Sequence, residues 1–186
     1  MSILKVSRMG HPVLRKKVKP VPVADITTPA IQRLIDDMMQ TMVEYHGAGL
    51  AAPQVHEDLR LFVAQVVTDR DHDQDDEAEE AEPRPPELMA VINPEITPVG
   101  RTVEEDWEGC LSIPDLRGLV PRHRDIKVRA YDRTGKPVEI QATGFMARVI
   151  QHETDHLDGV LFLDRMKSLA SLSFLDEYAR YHVERE

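Results

Sequence analysis

Apolar positions along the chain follow two rhythms, and the changes between them mark out the elements. In "TTPAIQRLIDDMMQTMVEYHG", Ile31, Leu34, Ile35, Met38, Met39, Met42 and Val43 recur every three or four residues, the spacing that lines one face of a helix. Thr28 stands as its N-cap, Pro29 occupies the first helical position, and Gly47 would end it. "LRLFVAQVV" and "LMAVINP" are apolar runs of strand length, and "DIKVRAYDRTGKPVEIQATG" alternates on both sides of Thr134 and Gly135, which predicts a hairpin turning there. A second helix is expected from Phe145 to Asp158 with Gly159 as its stop, and a C-terminal amphipathic helix from about Ser168 to His182. The strands do not alternate with helices as βαβ units. The expected class is therefore α+β, one domain over residues 1–186, with antiparallel sheets packed around the second helix and helices toward both ends.

Composition narrows the setting. With 186 residues, 41% of them hydrophobic, the chain is long enough for one compact core and short for two. Cys110 is the only cysteine, so no intramolecular disulfide is possible and nothing points to an oxidising compartment. The opening "MSILKVSRMGHPVLRKK" has no apolar run of signal-peptide length, and no segment approaches the roughly 20 apolar residues of a membrane span. A cytoplasmic protein that binds neither membrane nor DNA is the expectation. The net charge of −10 sits mostly in one place: residues 69–87, "DRDHDQDDEAEEAEPRPPE", hold ten acidic and two basic residues. So acidic a run, bearing prolines and almost no apolar side chains, gains too little by burial to order itself and should be a mobile loop.

Chemistry concentrates in "QHETDHLDG", Gln151 to Gly159. Residues four apart on a helix lie above one another about 6 Å apart, so His152 and His156 can offer two imidazole nitrogens to one metal ion. Glu153 then sits beside the ion, as in the HExxH arrangement, where the glutamate is the general base for an activated water. A third ligand could come from "WEGCLSIP", Trp107 to Pro114, where Cys110 precedes a proline expected to stop ladder pairing. A lone cysteine is usually a small buried hydrophobe, but beside paired histidines a thiolate would leave one coordination position open, the pattern of a catalytic site. "GAGLAAPQV", Gly47 to Val55, has glycines that let a backbone approach a ligand, and Gln54 carries an amide donor. Phe145, Val149, His152 and His156 form a stripe leading to the metal position, while Met146 and Ile150 read as core.

Taken together, "GAGLAAPQ", "EGCLS" and "QHETDHLDG" resemble the three sequence motifs of peptide deformylases, which remove the N-formyl group from newly made proteins. "GHPVLRKKVKPV" and "VRAYDRTGKPVEIQATGFMARVIQHE" are similar to that family as well, and the acidic run is the main departure. The resemblance implies that Cys110, His152 and His156 bind one divalent ion, natively Fe(II) with zinc, nickel or cobalt as replacements, although ligand type alone suits zinc. It implies that Glu153 shuttles protons, that the Gln54 side-chain amide and the Leu111 backbone N–H form an oxyanion site, and that Ala48, Gly49 and Gly109 bind substrate backbone. Phe145 and Val149 would line a methionine pocket, and Arg148, where the family often has an apolar residue, would lay its stem along the rim and its head in water. The implied partners are N-formylmethionyl nascent peptides, with the ribosome nearby but no basic tail to bind it directly. Asp155 is expected to anchor the site through a cation such as Arg122. Asp158 is expected to be exposed, and the remaining histidines are surface or core residues.

Two other classes compete. An HExxH endopeptidase takes its third ligand from later in the chain, where only carboxylates of the last helix are available. A metal-stabilised binding module would have no use for Gln54, Leu111 and Glu153 together.

Overall fold

The computed structural model describes residues 2–66 and 87–183; the acidic run, apart from Glu87, lies outside the described residues. Helix α1 spans Pro29–Glu44 and begins at Thr28 with Pro29 in its first turn. It ends differently from expectation. His46, not Gly47, takes the left-handed conformation (φ +53°), and His46 N–H and Gly47 N–H donate to the carbonyls of Val43 and Met42, which closes the last turn as a Schellman motif.

Five strands make the larger sheet: β1 (Gly49–Ala51), β2 (Leu61–Gln65), β3 (Leu88–Pro98), β6 (Asp125–Tyr131) and β7 (Pro137–Thr143), in that order and antiparallel throughout. Strand β2 explains the unbroken apolar run of its sequence. Phe62 and Ala64 face one core and Leu61 and Val63 the other, so both faces are covered and alternation disappears. The second core holds α1 against the sheet; the first holds α2 (Gly144–Leu157) through Ala147, Val149, Ile150 and Leu157. Between Ile92 and Glu95 the β3–β6 register shifts. Asn93 sits there at φ +54° and its amide pairs with both backbone groups of Val21, at 2.9 and 2.8 Å.

A second sheet was expected, but its strands were not located in the sequence. β4 (Val103–Cys110) and β5 (Ile113–His123) form a long hairpin on either side of the stretch that holds Cys110 and Pro114. Pro114 is the second residue of β5, exposed and without a partner on β4; the register shifts from Glu108↔Gly118 to Cys110↔Ile113, so the regular ladder breaks beside the proline as expected. Beneath this hairpin Leu14, Phe162, Ile113 and Val120 form a third core. Helix α2 thus lies between two sheets, with every residue from Ala147 to Leu157 buried. It ends as expected. Gly159 is left-handed (φ +75°) and donates to His156 O, while Val160 N–H donates to Asp155 O.

After α2 the expectation of one C-terminal helix needs correction. A short helix α3 (Phe162–Arg165) is followed by a 3-10 turn over Leu169–Ser171, the strand β8 (Ser173–Phe174), and α4 over Leu175–Tyr181 only. Ser168 caps the 3-10 turn by accepting from Ala170 N–H, and Ser173–Phe174 pairs with Leu116–Arg117 of β5. Serines that bond to nearby backbone and a free strand edge together outcompete helical continuation. Among the described residues, no helix is long and apolar enough to cross a membrane.

Candidate active site around Cys110, His152 and His156

Helix α2 presents His152 and His156 from consecutive turns, and the hairpin brings the end of β4 up to them. The Cys110 Sγ lies 3.2 Å from His156 Nε2, and the sulfur and one nitrogen of each imidazole all fall within 4.8 Å of one another. A tetrahedral ion with sulfur and nitrogen ligands needs donor separations of about 3.5 Å, so small side-chain movements suffice. The donor chemistry fits as well. Burial alone would push the Cys110 thiol up, but the charge of His156 and the hydrogen bonds and charge of His152 hold it well below its usual range. His152 responds in the opposite sense: desolvation would lower it, and bonds to Cys110 and Glu108 raise it well above the usual imidazole value. A thiol this acidic is a thiolate in waiting, which is what a metal ion requires.

One carboxylate that sequence reasoning missed organises the centre. Glu108 Oε2 is 2.9 Å from His152 Nδ1, which leaves His152 Nε2 to face Cys110. Its two oxygens also accept from Arg122 Nε and Nη2 at 2.9 and 3.1 Å and from Arg148 Nη1 at 2.9 Å. Burial would raise this carboxyl, but the hydrogen bonds and charges of His152 and Arg122 overcome it and hold the group at about 2. Arg122 also bonds Asp155 at 2.5 Å, and Arg165 closes on Asp155 at 2.7 Å, so Asp155 is anchored by the expected cation and one more. Alternation along a strand would have put Glu108 near the face of Cys110; the signal was lost because β4 was not recognised as a strand.

Arg148 corrects its expectation. Its head does not reach water. It is 6% exposed and donates to Glu108, to Val120 O at 2.8 Å and to Glu104 O at 2.9 Å, because the hairpin folds over this face of α2 and supplies carbonyls where solvent was expected. Asp158, expected to be simply exposed, is half-buried and bonds Arg60 Nη1 at 2.9 Å.

Ala48, Gly49, Gln54, Gly109, Leu111, Phe145, Arg148 and Val149 all line one cleft of about 740 Å³ with Cys110, His152 and Glu153. His156 is not on its wall; it is buried beneath. Gln54 is fixed from both ends of its amide: Oε1 accepts from Ala51 N–H at 2.8 Å, while Nε2 points to Ser112 Oγ at 3.2 Å and Cys110 Sγ at 3.6 Å. Glu153 is 4% exposed, and its Oε2 is buried with no hydrogen-bond partner among the described residues. Burial pushes it up to about 7; the charges of His152 and His156 act against this and those of Cys110 and Glu108 with it. The absence of a side chain at Gly49 makes room for that carboxylate, since a Cβ there would stand 2.4 Å from Glu153 Oε1. At Gly109 a Cβ would meet the Arg117 guanidinium, with Nη1 at 1.9 Å, so a side chain there would require that head group to move.

The chain resembles known proteins over nearly its whole length. A sequence model of the polypeptide deformylase family matches residues 3–171. Peptide deformylase 2 of Nostoc sp. is 43% identical over 176 residues, covering 95% of this chain and 93% of the relative; the peptide deformylase of Salinibacter ruber is 46% identical over 166 residues, covering 89% and 82%. Among solved structures, the peptide deformylase of Thermotoga maritima superposes with a TM-score of 0.75 at 37% identity, covering 90% of this chain and all of that one. A class I type b peptide deformylase of Acinetobacter baumannii bound to Met-Ala-Ser gives 0.76 at 34% identity, covering 89% and 100%. With the cleft, the Cys–His–His cluster and the buried glutamate on one helix, these matches make the chain a member of the peptide deformylase family, the hydrolases that remove the N-formyl group from nascent polypeptides.

Proposed function

We propose that Cys110, His152 and His156 hold one divalent ion, natively Fe(II), and that Glu153 moves the proton while the N-formyl group of a formylmethionyl peptide is hydrolysed in this cleft. One observation carries the proposal: a buried carboxylate oxygen without a hydrogen-bond partner among the described residues belongs to Glu153, next in sequence to His152, whose imidazole gathers with that of His156 and the Cys110 thiol within 4.8 Å. When bound, the ion supplies Lewis acidity toward water and the formyl oxygen. The chain's own groups do the rest. Glu153 takes a proton from the attacking water and delivers it to the departing peptide nitrogen, and a carboxyl that titrates near neutrality suits both directions. The Gln54 Nε2, locked by Ala51, and the Leu111 N–H meet the negative charge that develops on the formyl oxygen. Glu108 fixes the tautomer and the plane of His152.

The substrate lies against β1, the edge strand of the larger sheet, with Ala48, Gly49 and Gly109 as backbone partners. Phe145, Val149 and the stem of Arg148 receive the methionine side chain. The donor set accepts zinc, nickel or cobalt as well; iron is proposed from the family resemblance, and iron beside a thiolate makes activity oxygen-sensitive. The test is formate release from formyl-Met-Ala-Ser by protein purified without air, assayed with its metal content before and after chelation. Release that chelator abolishes and Fe(II) restores is the expected result. No release, or release indifferent to chelator, overturns the proposal, and cleavage of an unformylated peptide would revive the endopeptidase reading.

A further inference from the structure

Helix α2 separates the catalytic cleft from a second cavity, of about 970 Å³, on its other side. Gln151, Thr154 and Asp155 of α2 line it, with Arg122 and His123 at the end of β5 and Arg165 of α3. Two polar atoms of these wall residues are spent on nothing. Thr154 Oγ1 and His123 Nδ1 are both buried with no hydrogen-bond partner among the described residues, and Thr154 as a whole is 8% exposed. A buried donor or acceptor left in this way costs about 1–3 kcal/mol, so beside a cavity it calls for an occupant that the protein itself does not supply. Gln151 gives no relief, because its amide is committed to both backbone groups of His123, at 3.0 and 2.8 Å.

The charges around the cavity decide what kind of occupant fits. Its wall carries four cations and four carboxylates, a balance that disappears once the pairs are followed. Glu95 and Asp164 pair with Arg129 and Arg15, neither of which lines the cavity. Asp155 serves both Arg122 at 2.5 Å and Arg165 at 2.7 Å, while Arg122 and Arg148 share Glu108, so three guanidiniums meet two carboxylates. Asp158 likewise serves Arg60 at 2.9 Å and Lys17 at 4.0 Å. One positive charge is unmatched in each group, and Asp155 and Asp158, three residues apart, put the two groups side by side. Much of the remaining wall is apolar: Val18, Ile96, Val103 and four prolines. We infer that this cavity is a binding site for a small organic anion, a carboxylate on a short apolar body. The carboxylate lies between Lys17 and Arg165 and accepts from the Thr154 hydroxyl and from His123 in its Nδ1–H tautomer, and the body rests on Val18 and the prolines.

Benzoate is the probe, titrated into the zinc-loaded protein at constant ionic strength and followed by amide ¹H–¹⁵N shifts. A dissociation constant of roughly 1 mM is expected for a ligand of about nine heavy atoms, with the shifted amides around Lys17, Arg60, His123, Thr154 and Arg165. Lys17→Glu, at an exposed side chain, should weaken binding by about fivefold, and Thr154→Val, which keeps the shape, by about threefold. Benzylamine, the same ring with the opposite charge, should not displace benzoate, and inorganic phosphate should do so only at concentrations at least about tenfold higher, since it has no apolar body to bury. No binding, shifts confined to Gly49, Gly109 and Leu111 of the catalytic cleft, affinity unchanged in both variants, or displacement by benzylamine overturns the inference. Phosphate as effective as benzoate overturns the ligand class. Deformylation plays no part in these readouts, so the proposed function stands or falls separately.

Discussion

Glu153 and Gly49 are matched at the residue scale. The glutamate can stand where it does only because residue 49 has no Cβ, which would lie 2.4 Å from Glu153 Oε1. Glu153→Gln keeps the shape and removes the proton shuttle; turnover should fall by about two orders of magnitude or more with metal content unchanged. Full turnover in a metal-loaded Glu153→Gln protein would take the residue out of the mechanism. Gly49→Ala keeps every reacting group and displaces the carboxylate, and a displacement near 1 Å is enough to cost roughly a hundredfold in kcat. If metal analysis of the alanine variant shows a full complement and kcat is unchanged, the packing argument fails. Methionine selection belongs to this scale too: Phe145, Val149 and the Arg148 stem line a pocket that gives formyl-Gly peptides nothing to bury, so kcat/KM for them should be at least tenfold below formyl-Met. Parity between the two would remove these residues from substrate selection.

At the scale of elements, the site is a joint between α2 and the β4–β5 hairpin, and Arg148 ties the two by bonds to Glu108, Glu104 O and Val120 O. Arg148→Met would strand both carbonyls and remove one cation from a buried carboxylate, a loss of about 3 kcal/mol. Arg148→Lys keeps the charge but not the planar fork, and should recover less than half of that. Urea denaturation of the metal-free proteins measures both; a lysine variant as stable as the wild type would mean that only charge matters. The same joint shows what the sequence could and could not disclose. Helix α2 was legible because its chemistry is local: two histidines one turn apart, a glutamate between them and Gly159 to stop it. The hairpin was not. Most of β4 is exposed, "VEEDWEGC" showing no inward-facing alternation, and it turns into β5 through Leu111 and Ser112, which carry no glycine-bearing turn signal. Glu108 was missed with it, and Arg148 was sent to solvent because the surface covering it was unseen. The last helix failed similarly: "SLASLS" has helical apolar spacing, but the edge of β5 offers strand pairing that no local pattern announces.

For the whole molecule, the placement of α2 between two sheets has an electrostatic consequence. The helix brings Arg148, His152 and Asp155 into the interior, and hairpin residues Glu108 and Arg122 meet them there, all nine-tenths buried or more. Such a cluster is stable only while each charge keeps its partners. Glu108 is the shared acceptor, and its folded value of about 2 lies below its ordinary 4.5. A carboxyl depressed on folding contributes stability that is fully present above the ordinary value and is lost as pH falls through the folded one. The window for this loss in the metal-free protein is therefore pH 4.5 down to about 2. A surface carboxylate pair would behave differently, contributing roughly 0–1 kcal/mol and fading with salt. In chelator-treated protein, the unfolding free energy should fall between pH 4.5 and 2 with a slope that high salt barely changes. Glu108→Gln, less stable at neutral pH because Arg122 and Arg148 lose their counter-charge, should show a shallower slope over the same interval. Parallel pH profiles for the two proteins would show that the acid sensitivity arises elsewhere and that this carboxylate is not what the interior depends on.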